Sequence, residues 1–281
     1  MKPDDAPPHL LKLGWHASLE LGYAVRGGRT VPVQRRHHGP LRVQKHFIDP
    51  AGACQHIVVH PPGGIAGGDR LRVDVALAGG ADVLITSPGA AKWYDGFGHS
   101  AGQILNFELE AGSRLAWLPQ ETILYAGADV RLEMRARLHG DAGLLFGDVV
   151  CLGRPACAET FMRGAWRQLS EIERDDRLIW CEHTVLTAGT PLLTSPVGLA
   201  GRSTVGLLLW AGPPLPPEMH RSVLALETGG QAAASQLPDV WVARFAGDSA
   251  EEAQRWLRCA RALIHPFTHG RPAHDPRIWA T

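Results

Sequence analysis

The chain has 281 residues, 45% apolar and 20% charged, enough apolar material for a packed core, which excludes a disordered or fibrous protein. Lys and Arg number 28 and so do Asp and Glu, and this zero net charge removes the usual footprint of a nucleic-acid or anionic-membrane binder. Gly (32) and Pro (21) fill about a fifth of the chain, against roughly 12% on average, an excess that favours many turns and short strands.

Residues 1–13 read as a polar, Pro-rich flexible arm, and the absence of an apolar h-region argues against a secretory signal. From Gly14 the pattern is strand-like for about 200 residues. In residues 70–77, Leu71, Val73, Val75 and Leu77 alternate with polar neighbours. Leu105, Phe107 and Leu109 repeat the alternation, as do Val130, Leu132, Met134, Ala136 and Leu138. A period of two places each apolar set on one sheet face. Turn signals separate these runs at Ala78-Gly79-Gly80, Glu110-Ala111-Gly112 and Gly127-Ala128-Asp129. Residues 144–152 and 178–183 are apolar on both faces, which predicts two buried strands. The expected class is mainly β, with no strict repeat period.

The last quarter changes character. A weak helical pattern covers residues 217–226, and a strand pattern covers 240–245. Ser249 with Glu252 has capping-box form, and Trp256, Leu257, Ala260, Leu263 and Ile264 follow with helical spacing. Pro266 is expected to stop that helix. No composition break divides the chain, so one domain over residues 1–281 is expected. Apolar stretches such as residues 206–210 fall far short of the ~20 residues that span a bilayer. Five widely spaced cysteines without C-x-x-C fit a reduced, cytoplasmic chain.

Three features carry possible chemistry. The first is His60-Pro61-Pro62-Gly63-Gly64-Ile65-Ala66-Gly67-Gly68-Asp69. A phosphate-binding loop would contain Gly-Lys-Ser/Thr or open a helix, and here a strand pattern follows. A tight strand connection is the better reading, although it leaves the terminal Asp69 unexplained. The second is the histidines His37, His38, His56, His60 and His99, whose imidazoles could ligate nickel, zinc or copper. His56 and His60 share a strand face about 13 Å apart, too far for one ion. The third is a pair of carboxylates, Asp148 and Glu182, in the two apolar runs. Burying a carboxylate costs several kcal/mol unless it is paired or wetted. Either a structural ion pair, for example with Arg154, or an internal polar site satisfies that requirement. No G-x-S-x-G elbow occurs, and no catalytic constellation emerges.

Six blocks, taken in order, resemble the UreD (UreH) family of urease accessory proteins. They are Gly39-Pro40-Leu41-Arg42-Val43-Gln44-Lys45, the His60-to-Asp69 loop, and Thr86-Ser87-Pro88-Gly89-Ala90-Ala91-Lys92-Trp93-Tyr94. Trp117-Leu118-Pro119-Gln120-Glu121-Thr122, Cys151-Leu152-Gly153-Arg154-Pro155 and Arg277-Ile278-Trp279 complete the set. The resemblance implies a right-handed, β-helix-like stack of short strands with two C-terminal α-helices. It implies a non-catalytic scaffold that binds apo-urease with a UreF-type accessory protein and a UreG-type GTPase. No nucleic acid, membrane or tightly bound cofactor is expected, and nickel is a transient passenger through an internal tunnel.

The resemblance further implies Asp69, Asp148 and Glu182 as polar residues of that tunnel, with His60, Gly63, Gly64, Gly67, Gly68, Lys92 and Arg154 as other motif residues. A position that commonly carries Ser or Thr is here Ala91. Two rival classes stand beside this one. A β-rich metal-dependent hydrolase would use some of His56, His60, Asp69 and His99, and a purely structural interaction module would have a dry core.

Overall fold

A computed structural model describes residues 14–49 and 52–280; the arm expected over residues 1–13 lies outside them. In chain order the first strands are β1 (His16–Arg26), β2 (Arg29–His38), β3 (Arg42–Val43), β4 (Phe47–Ile48), β5 (Cys54–Val59) and β6 (Arg70–Leu77). Next come β7 (Asp82–Thr86), β8 (Ala91–Trp93), β9 (Ala101–Leu109), β10 (Arg114–Trp117), β11 (Thr122–Leu124) and β12 (Asp129–Leu138). The remainder are β13 (Gly143–Arg154), β14 (Glu159–Thr160), β15 (Ala165–Arg174), β16 (Arg177–Thr187), β17 (Thr204–Ala211), β18 (Gln231–Gln236) and β19 (Val240–Gly247). Two helices, α1 (Pro217–Leu224) and α2 (Ala250–His269), lie late in the chain.

Seven strands form one sheet in the order β16-β15-β12-β9-β6-β1-β2. The other twelve form a second sheet along β18-β19-β17-β13-β10-β7-β5-β3, with β4, β8, β11 and β14 paired off that path. The middle of the molecule is wound as a coil. Each of β6, β9 and β12 turns directly into its second-sheet partner, β7, β10 or β13, and neighbouring coils stack in parallel. The first-sheet strands begin at Arg70, Ala101, Asp129 and Ala165, so the intervals are uneven, as expected for a coil without a strict repeat.

Sequence explains the corners. Ala81, Ser113 and Ala142 each donate a backbone bond to the residue three places back, at 3.0–3.1 Å. Every such turn contains one left-handed glycine, Gly80, Gly112 or Gly140, a conformation that costs a residue with a Cβ far more. Just before each turn, Leu77, Leu109 and Leu138 stack in register and are fully buried. Asp141 and Asp175 tie adjacent corners together by accepting from the backbone N–H of Gly112 and Gly140.

The capping box is present in half. Ser249 Oγ accepts from the Glu252 N–H at 3.2 Å, but the Glu252 carboxylate turns to the Thr228–Gly229 loop instead of the helix start. Pro266 does not stop α2, which runs one further turn to a left-handed Gly270. Proline removes one N–H, and near a C-terminus that loss affects only the final turn. The helix packs Trp256, Leu257, Ala260 and Ile264 on the outer face of the second sheet, against Leu208, Trp210 and Phe245. Beyond it the chain is strapped back to the coil. Arg271 pairs with Asp49 and Asp82 at 3.1 and 2.7 Å, and Trp279 donates to Thr86 Oγ1 at 2.8 Å. No helix among the described residues is long and apolar enough to cross a membrane.

One expectation for strand burial fails. β13 is buried almost throughout, but β16 is an edge strand, with Leu178 and Val185 about half exposed. Its apolar composition does not report burial within this chain.

Candidate functional site

Strand parity sets the site. Leu144, Phe146, Val150 and Leu152 of β13 face the space between the sheets, while Leu145, Val149 and Cys151 face the α2 layer. Asp148 shares the first parity and therefore points between the sheets. A one-residue slip would release it but would invert every neighbour as well. The inter-sheet space is not filled at this level. A cavity of about 380 Å³ opens there, with Asp148, Gln168, Gln103, His60 and Lys92 among its polar lining and Trp117, Phe146 and Leu105 among its apolar walls.

Asp148 is held rather than ion-paired. Trp166 Nε1 donates to Gln168 Oε1 at 3.0 Å, which fixes the amide so that Gln168 Nε2 donates to Asp148 Oδ2 at 2.8 Å. Desolvation pushes the Asp148 carboxyl up to about 6; the Gln168 hydrogen bond opposes the shift and the Glu182 charge adds to it. The group therefore exchanges between acid and carboxylate close to neutral pH. Arg154, considered as its partner from sequence, instead pairs with Glu159 and stacks over the Tyr125 ring at 4.4 Å.

A second, smaller cavity of about 70 Å³ shares Asp148 and Gln168 with the first and adds Ser170, Glu182 and Arg244. Glu182 faces Ser170 across the β15–β16 ladder and accepts from Arg244 Nη1 at 2.8 Å. The edge position of β16 leaves Glu182 partly wetted, so it does not need the fully buried pairing that its apolar neighbours suggest. Polar groups thus continue from His60 and Lys92, past Asp148 and Gln168, to Ser170, Glu182 and Arg244.

Asp69 stands apart from both cavities. Its Oδ1 accepts from the Trp15 N–H at 2.6 Å and its Oδ2 from the Ala66 N–H at 2.9 Å, so the carboxylate buckles the glycine loop to the start of β1. Loop geometry explains the glycines. A Cβ on Gly64 would collide with the Tyr94 ring, one on Gly67 would collide with Gly96, and Gly63 and Gly68 have positive φ. The loop is therefore the tight connection expected from sequence, and Asp69 is the residue that closes it.

His60 follows β5 and lines the large cavity, with its Nε2 buried and lacking a hydrogen-bond partner among the described residues. Burial lowers its pKa, although the Asp69 charge opposes the shift, so the ring is a neutral imidazole with a free lone pair or N–H. Ala91 supplies a methyl group to the cavity wall, with Lys92 beside it. The other histidines do not gather. His56 is buried against Tyr23, its Nδ1 lying 2.5 Å from the phenol oxygen, and its pKa falls to about 4 mainly through burial. His37, His38 and His99 are exposed. Among the described residues no three metal-ligating side chains cluster.

Sequence reasoning missed Gln168 and Arg244. Arg244 carries the same signal that exposed Asp148, a charge inside an apolar strand. Gln168 has no comparable signal, because both parities of β15 carry polar residues.

The model of the UreD urease accessory protein family matches residues 16–280. The urease accessory protein UreD of Pseudomonas aeruginosa is 48% identical over 269 residues, covering 95% of each chain. That of Nitrosococcus oceani is 44% identical over 281 residues, covering 99% of this chain and 95% of the relative. The chain belongs to the UreD urease accessory protein family. Its role is accessory and non-catalytic, so the hydrolase reading of His56, His60, Asp69 and His99 is set aside, in line with their separation.

Proposed function

We propose that this protein is a maturation scaffold that binds apo-urease together with UreF-type and UreG-type accessory proteins and passes nickel toward the urease active site. Nickel is the cargo, held only in transit. One observation carries this reading: the two inter-sheet cavities meet at a single carboxylate, Asp148, which has no cation partner among the described residues and lines both spaces. Carboxylate and amide oxygens are weak partners for nickel compared with thiolate, which suits an ion that must leave again. His60 Nε2, without a hydrogen-bond partner among the described residues, is the strongest nickel donor in the cavity lining, and a lone imidazole does not trap an ion. The five cysteines, all free thiols, fit work in the cytoplasm.

The test is maturation of urease by cells that carry variants of this chain. Asp148→Ala and Glu182→Ala are expected to lower nickel per urease while the accessory complex still co-purifies with apo-urease. Asp69→Ala is expected to act differently, by loosening the loop and reducing the amount of folded protein. Normal nickel content with Asp148→Ala would overturn the passage, and loss of assembly with that variant would assign Asp148 to the fold.

A further inference from the structure

The outward face of the seven-stranded sheet is built from rows of residues in direct register, and one row differs from the others. In the third row Glu20, Asp74, Asn106, Arg135 and Glu171 are of mixed charge, and Arg135 pairs with Glu171 at 3.3 Å. In the second row Arg72 is neutralised by Asp74 at 2.8 Å, and in the fourth Arg137 lies 3.7 Å from Glu173. The first row reads His16, Arg70, Gly102, Arg131, Arg167. Every side chain in it is basic.

Like charges facing each other on adjacent strands are destabilising, and little among the described residues relieves this row. Arg167 pairs with Asp129 at 2.5 Å. Among the described residues the Arg70 guanidinium donates to the carbonyls of Asp69 and Ser100 and to the Ser100 hydroxyl, and no carboxylate neutralises it. Among the described residues the Arg131 side chain has no hydrogen-bond or ion-pair partner. Between these two arginines lies Gly102, the floor of an open groove of about 540 Å³ that also takes in His16 and His38. Packing does not require glycine there, because a Cβ would make only ordinary contacts, at 3.4 Å to the Arg131 carbonyl and 3.6 Å to Arg70.

We propose that this row is a docking groove for an acidic, extended segment of a partner protein, whose carboxylates neutralise Arg70 and Arg131 across the Gly102 saddle. Two strand spacings separate the arginines by about 10 Å, close to the ~9 Å between carboxylates three residues apart on a polyproline-II chain, whose three residues per turn return them to one face. Guanidinium forks match planar carboxylates. The backbone N–H groups of these strands are used in the sheet ladders, so the groove lacks the amide cradle that characterises phosphate sites. The chain's zero net charge gives no long-range attraction for a nucleic acid.

The experiment uses the full chain and a fluorescent hexaglutamate peptide at low ionic strength, followed by anisotropy. Binding is expected to weaken with salt and to fall about tenfold in Arg131→Gln, the loss of one charge-assisted contact. Thermal stability of that variant should be unchanged or higher, because a repulsion is removed. Gly102→Glu, which supplies an internal carboxylate to the saddle, should abolish peptide binding and raise the melting temperature. Peptide binding unaffected by both variants would overturn the proposal. So would a lower melting temperature in Arg131→Gln, or tighter binding of inorganic phosphate or of an oligonucleotide of equal charge.

Discussion

Strand β13 borders two interiors of opposite character. Toward α2 its side chains join Trp210, Trp256 and Phe245 in an aromatic-rich layer, and a Cβ on Gly147 would collide with Leu118. Toward the seven-stranded sheet the same strand meets a cavity of about 380 Å³ and presents Asp148 to it. Adjacent residues on one strand thus serve packing on one side and an unfilled polar space on the other. A core normally packed to crystal-like density is left open only where something other than stability is served.

The largest effect should come from the aromatic layer. Trp256→Ala is expected to cost about 3–5 kcal/mol in urea unfolding, while Leu105→Ala on the cavity wall should cost about 2 kcal/mol, because one side of Leu105 already faces empty space. Equal losses would show that the two interiors are packed alike.

Titration sharpens the contrast. Near the end of α2, burial lowers the pKa of His265 to about 4, opposed by the hydrogen bond its Nδ1 makes to the Arg271 carbonyl in the strap beyond. A histidine with a depressed folded-state pKa binds its proton more readily when unfolded, so stability is lost as pH falls from about 6.5 toward 4. His265→Gln should flatten that acid limb by roughly 2–3 kcal/mol, read from urea midpoints at pH 4.5 and 7.5. Asp148 acts with the opposite sign. Its folded-state pKa of about 6 lies above the unfolded value, so the native chain holds the extra proton and stability falls as pH rises from about 4 to 6. Asp148→Asn should remove this fall and gain roughly 3 kcal/mol at pH 7. A variant less stable than the parent at pH 7 would mean that the carboxylate is a structural requirement. The smallest change is expected at Glu182→Gln. Its partner Arg244 is half exposed, and such pairs contribute under about 1 kcal/mol.

Much of the architecture was legible in the sequence. The alternation in residues 70–77 and 129–138 gave both the strands and their faces, and the glycine signals marked the coil corners. Less was legible where an element's neighbours decide the outcome. β16 has the composition of a buried strand and lies at an edge, because composition cannot tell burial in a core from exposure on a sheet edge. Asp148 was recognisable from its apolar flanks. Its partner was not, since Gln168 lies twenty residues away and is brought to it only by the stacking of coils. Asp69 resembled Asp148 in sequence, as a carboxylate beside small or apolar residues, yet two backbone N–H groups claim it.

The central claim, that nickel travels through the inter-sheet cavity, is tested most directly at Ala91, whose methyl group lines that cavity. In Ala91→Cys the space can be plugged with a thiol-specific methanethiosulfonate reagent and cleared again by reduction, with the parent chain treated identically as control for its own cysteines. Nickel per urease in a reconstituted maturation should drop on labelling and recover on reduction, with the accessory complex intact throughout. Full nickel loading with the labelled variant would contradict the passage.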